Sequence, residues 1–173
     1  EDRLLEPVAP PPTPPHASSP CGPLVQEMVQ LARAGAVREA EPGLVAASQI
    51  CPRDAAAWRE LAGLRFLQSR WREASRFAER AALLDPSDGP GWDLLATSRF
   101  LDDQPAAALD AWNRNGRPSV DLVRVAGVQR TRHPVVATLV DLSPRSLLTA
   151  DAYGRAARRL GELPSATITR LAY

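Results

Sequence analysis

Lysine is absent from this chain: all 21 basic residues are arginine, and they face 20 acidic residues for a formal net charge of +1. So close a balance removes the simple electrostatic case for nucleic acid, because a phosphate-binding surface carries a basic excess. The exclusive use of arginine reads as base-composition bias more than as chemistry. Aromatics make up only 5% of the residues, while Ala, Leu and Arg are abundant. That mixture favours helices packed through small side chains. No apolar run approaches the ~18 residues of a membrane-spanning helix. The N-terminal EDRLLEPVAP lacks the basic and apolar regions of a signal peptide. The expectation is therefore either a cytoplasmic protein or one whose signal has been removed.

The chemistry of an enzyme is also scarce. The sequence has two histidines, His16 and His133, and contains no H-E-x-x-H, Gly-rich phosphate loop, G-x-S-x-G or C-x-x-C. Nothing calls for a cofactor or a metal ion, and the expectation is a non-enzyme. A lyase or hydrolase using His133 is the weakest alternative. Asp102 and Asp103 could be read as a metal or acid–base pair, but they stand before the next helix, where negative charge is favoured by the helix dipole.

What is present is unevenly distributed. Many of the 17 prolines crowd the start of the chain. The segment PVAPPPTPPHASSPCGP predicts an extended tether, because proline fixes φ and removes donors. A ligand for a proline-binding module is the other reading of such a composition. Residues 1–20 are assigned to this tether, with His16 a bystander inside it. Tethers of this kind suit the processed end of an envelope protein.

Beyond the tether the sequence repeats. AWRELAGLRFLQSRWREASRFAERAALLDPSD aligns with GWDLLATSRFLDDQPAAALDAWNRNGRP, and Trp58 and Trp92 stand 34 residues apart. At the same offset lie Leu61 and Leu95, Ala62 and Ala96, Arg65 and Arg99, Phe66 and Phe100, and Ala74 and Ala108. One period earlier a weaker copy has Leu24, Met28 and Leu31 as its apolar stripe, Gly35 at the turn, Ala40 and Ala47 at close contacts, and Pro52 at the end. It lacks the Trp, as a terminal repeat can. The spacing predicts helix pairs at 22–34 with 38–50, 54–67 with 71–84, and 89–101 with 104–114. Asp54 and Asp88 are placed as N-caps.

The period and its Trp, Leu, Gly/Ala, Ala and Pro pattern resemble the tetratricopeptide (TPR) repeat over residues 21–117. The resemblance implies a helical solenoid that binds proteins, with a concave surface lined by the first helix of each pair. By helical spacing that surface includes Val25 and Val29, then Arg59, Gly63 and Phe66, then Asp93, Thr97 and Phe100. Val25 and Val29 occupy places where TPR co-chaperones carry a carboxylate clamp, so that clamp is absent. The groove suits an extended or helical peptide segment. Arg59, Phe66, Asp93, Thr97 and Phe100 are the expected partner-binding residues, although Phe66 and Phe100 would equally suit packing between repeats. Arg65 and Arg99 suit either a helix C-terminus or a ligand.

Cys21 and Cys51 fall at the start of one helix and the end of its antiparallel partner. They suit a disulfide in an oxidising compartment and two free thiols otherwise.

After Gly116 and Pro118 the periodicity changes. VDLVRVAGVQRT alternates through Val123 and Val125 to Gly127 and predicts a strand. Helices follow at about 132–140 and 150–161, the second with Thr149 as N-cap, and Pro164 precedes ATITRLAY, read as another strand. This order, the apolar Val136 and Leu139, the LLT at 147–149, and Leu160 and Leu163 resemble a POTRA domain over about 120–173. The expected fold is thus mainly α, a three-repeat solenoid followed by a β-α-α-β unit at 118–173 that lacks the third strand of the family. The combination implies the periplasmic N-terminal part of a bacterial outer-membrane transport or assembly protein, with a barrel beyond this chain and a polypeptide partner. The alternative is a self-contained TPR adaptor, cytoplasmic or periplasmic, whose last unit caps the stack.

Overall fold

The structure is a computed structural model and describes residues 20–126, 132–162, 171 and 173. Residues 1–19 of the tether, with His16, and Gly127, Leu163, Pro164, Ile168 and Arg170, lie outside the described residues. Eight helices are found among those described: α1 Gly22–Arg33, α2 Val37–Ile50, α3 Ala55–Leu67, α4 Trp71–Leu84, α5 Gly89–Leu101, α6 Pro105–Asn113, α7 His133–Val140 and α8 Ala150–Gly161.

The backbone repeats with the sequence. A shift of 34 residues carries both ends of α2 onto α4 and both ends of α3 onto α5. The turn inside each pair repeats as well, with positive φ at Gly35 (87°), Ser69 (58°) and Asp103 (59°). Each turn is closed by the same backbone bond one residue later: Ala36 N–H to the Leu31 carbonyl at 3.0 Å, Arg70 to Arg65 at 2.9 Å, and Gln104 to Arg99 at 2.9 Å. Only the first copy uses glycine, which adopts left-handed backbone without steric cost. The sequence of the turn thus drifts while its geometry does not.

Small residues set the helix spacing. Ala40, Ala74 and Ala108, one in each pair, are wholly buried, as are Ala62 and Ala96. Leu61 and Leu95 fill equivalent core positions at 2% and 1% exposure, each contributing about 2 kcal/mol through burial. Trp58 and Trp92 are half-buried. Each indole N–H reaches back six residues to a proline carbonyl, Pro52 and Pro86, both at 3.0 Å. These two bonds tie the first helix of a pair to the loop that precedes it.

The first helices touch in sequence, α1 against α3 and α3 against α5, whereas no contact joins α2 to α4 or α4 to α6 among the described residues. Layers that meet on one side and part on the other must curve, with the first helices inside. Arginines lock successive pairs. The buried Arg65 donates to Glu41 on α2 (2.6 Å) and to Gln68 (2.9 Å), and lies 3.4 Å from Glu73 on α4. Arg99, its equivalent, reaches Glu79 on α4 (2.6 Å) and the Ala107 carbonyl (3.2 Å). Both residues therefore clamp a first helix to its own second helix and to that of the pair before. Glu41 is held below the usual carboxylate range, chiefly by the hydrogen bond from Gln68 and then by that from Arg65.

Two capping expectations divide. Asp54 caps α3 through Ala56 N–H at 2.9 Å, but the Asp88 side chain makes no cap bond and pairs with Arg59 at 3.0 Å. Thr149 caps α8 through Ala152 N–H at 3.1 Å.

The expected β-α-α-β unit is not formed, and the POTRA reading of 118–173 is withdrawn. Among the described residues there is no strand, only an isolated antiparallel bridge between Ser119 and Leu147. A strand needs a neighbour of its own length. Residues 118–120 find only a turn, through Val120 N–H to Ser146, Arg145 N–H to Val120, and Leu148 N–H to Pro118. The valine alternation is real but serves helices. Val120 packs with Leu109 and Leu148, and Val125 against Val136, Val140 and Ala156, with Val123 touching both clusters. Of the second expected strand, 166–170 and 172 lie outside the described residues, and Leu171 and Tyr173 carry no strand structure. Instead α7 pairs with α8, and α8 packs on α6, covering the end of the third pair.

Candidate inner-face groove

The first helix of a pair presents residues to the inner face at every third or fourth position, so α1 and α3 together form a trough. An open groove of about 680 Å³ lies there, with Val25, Val29 and Ala56 as its apolar floor and Gln26, Glu27, Gln30, Arg33, Arg59 and Glu60 along its walls. Val25 is buried beneath it at 5% exposure.

The residues expected to bind a partner divide between this groove and internal duties. Arg59 lines the groove, yet its guanidinium bonds Glu60 (3.1 Å) and Asp88 (3.0 Å). Burial works to lower its pKa, but the bonds to Asp88 and Glu60 outweigh that and hold it above its ordinary value. Asp93 is one period away and turned elsewhere, pairing with Arg117 and accepting from Asn115 at 3.0 Å. Thr97 donates to the Asp93 carbonyl at 2.8 Å, within its own helix. Phe66 meets Trp71 edge-on at 4.9 Å. Phe100, 39% exposed, lies between Trp112 (5.9 Å) and Tyr173 (5.4 Å). Burial, with the neighbouring Tyr153 adding to it, pushes the Tyr173 phenol up to about 12. The structure thus brings Arg59 to a groove with Val25 and Val29. Asp93, Phe66 and Phe100 are set into contacts of the fold's own.

The sequence reading missed Gln26, Glu27, Gln30 and Arg33. The signal was available, since they flank Val25 and Val29 on α1, but the first copy lacks the Trp that marks the register of the other two. Glu27 and Arg33 make no ion pair among the described residues, unlike Arg59 and Glu60.

Cys21 and Cys51 are bonded, with Cα atoms 6.3 Å apart. His133 is exposed at the start of α7. Among the described residues no helix is long and apolar enough to cross a membrane, and no cluster of His, Cys, Asp and Glu is grouped to hold a metal. The fold is that of a helical repeat protein. No family model and no curated protein matches the sequence.

Proposed function

We propose that this chain is a TPR-type interaction module that holds a segment of polypeptide along α1 and α3. The observation that carries this reading is the apolar-floored groove on the inner face of three helix pairs in 34-residue register. Its floor accepts aliphatic side chains, and its walls supply amide and charged groups to fix direction and register. Glu27 and Arg33 lie six residues apart on one helix, about 9 Å along its axis. A segment carrying a basic and an acidic residue at matching separation complements them.

The Cys21–Cys51 bond favours an oxidising compartment, for which the bacterial periplasm is our proposal. The link to an outer-membrane barrel drew on the strand–helix–helix–strand order and loses that support. The α7–α8 pair packed on α6 favours the adaptor alternative, in which the last unit closes the stack.

The test is selection of binders from a random peptide library, followed by Gln26→Trp, which puts bulk into the groove from an exposed position. Selected peptides should lose at least about tenfold in affinity for the variant. Peptides that bind wild type and variant alike would place recognition on another surface.

A further inference from the structure

The first helix is held differently from the others. Trp58 and Trp92 tie α3 and α5 to their preceding loops, but the equivalent residue of α1 is Leu24, which has no donor. Ion pairs link α3 to its neighbours through Arg59 and Arg65. For residues 22–33 no side-chain hydrogen bond or ion pair is formed among the described residues, and α1 has no side-chain cap. Its packing is apolar, with Val25 and Met28 set against α2 and α3, and a covalent link, Cys21 to Cys51, fastens its start. That link joins the N-cap of α1 to the C-cap of α2, directly before the Pro52 carbonyl that takes the Trp58 indole. Where the indole bonds fasten the later first helices to their preceding loops, the disulfide fastens α1 to the end of its own second helix.

We infer that Cys21–Cys51 is a thiol–disulfide exchange site that switches the groove, its reduction freeing α1 while the later pairs stay folded. The inference rests on the proposed peptide-binding role of that groove, of which α1 is one wall. The reductant is a dithiol. Cys21 is buried at 4% and Cys51 is half-buried, so the more exposed Cys51 is the side on which the incoming thiolate attacks. The Sγ–Sγ bond breaks, and Cys21 leaves as a thiolate at the N-terminus of α1, where the helix dipole favours negative charge. The second thiol of the reductant then attacks the mixed disulfide, releasing Cys51. Two protons are taken up by the protein thiols, and the reductant ends as a disulfide.

The release is local because the bond spans only 30 residues, from one end of the first pair to the other. Contacts between α3, α4, α5 and α6 contain no part of it. Removing the link restores freedom to that loop in the opened state. A wall of the groove is then lost without loss of the stack.

The experiment uses the full chain, oxidised, dithiothreitol-reduced, and as the Cys21→Ser/Cys51→Ser double variant. Amide exchange is followed by mass spectrometry, and binding is measured with a peptide selected on the oxidised protein. Reduction should accelerate exchange in 22–33 by about a hundredfold while 89–113 is unchanged, and peptide affinity should fall at least about tenfold. The double variant should behave as the reduced protein does. Unchanged exchange in 22–33 overturns the inference, as does loss of protection throughout, which would make the bond a staple of the whole fold. Release of α1 with full peptide affinity also overturns it, leaving the groove reading to stand on other residues. If no peptide binds the oxidised protein, the groove reading fails and the control proposed for it fails with it.

Discussion

Replacing Glu41 with glutamine keeps shape and volume but removes the charge that Arg65 faces. In the folded chain Glu41 accepts from Arg65 at 2.6 Å and from Gln68 at 3.0 Å, and the guanidinium it serves is buried. Hydrogen bonds to charged groups contribute about 1.5–3 kcal/mol each. Because Glu41 keeps 29% of its side-chain exposure and Arg65 retains Glu73 at 3.4 Å, the lower part of that range applies, about 1.5–2 kcal/mol. The sign of the pH dependence follows from the lowered pKa. The ionised form is favoured in the folded state, so the contribution is fully present above the unfolded value near 4.5 and is lost as pH falls through the folded value. Urea midpoints of wild type and Glu41→Gln at neutral pH and at successively lower pH measure this directly. The two proteins should differ by the stated amount at neutral pH and converge in acid. A deficit of equal size at every pH would mean that the charge of Glu41 is not what stabilises the joint between the first two pairs.

Two further outcomes follow from the repeat itself. Ser69→Gly should stabilise the protein by roughly 0.5–1 kcal/mol in thermal unfolding, because Ser69 holds φ 58° where the first pair has glycine; destabilisation would show that the serine makes a contact the turn geometry does not reveal. Trp58→Phe and Trp92→Phe each remove one indole bond to a proline carbonyl, and should cost similar amounts, about 0.5–1.5 kcal/mol. Costs differing severalfold would count against equivalent positions.

How far the fold could be read in the sequence depended on whether the signal was local. Helices α1 to α6 were legible because Trp, Leu and Ala recur on a helical stripe with a 34-residue period, so each copy corroborates the others. The unit after them had no second copy. Val123 and Val125 alternate as a strand would, but alternation reports only which side is buried, not whether a partner strand lies alongside. Here the covered face belongs to α6, α7 and α8. Phe66 and Phe100 were placed on the inner face by counting, whereas Trp71, Trp112 and Tyr173 decide their surroundings. Tyr173 is 73 residues from Phe100 in the chain, and no window of sequence links the two. The roles of Glu41 and Glu79 were hidden for the same reason, since the arginines that need them lie on other helices. The groove on α1 is a different case. Its residues follow from Val25 and Val29 by ordinary helical spacing.

The claim that α1 and α3 receive a polypeptide is tested most directly by where a bound peptide touches the chain. A photoreactive amino acid is placed at Gln30, in the groove, and in a second protein at Arg76, an exposed position on α4. Each is irradiated with a peptide selected on the unmodified protein. The account predicts crosslinking from position 30, abolished by excess unlabelled peptide, and none from position 76. Crosslinking from position 76 with none from position 30 would contradict it, and would move the binding surface to the outer helices.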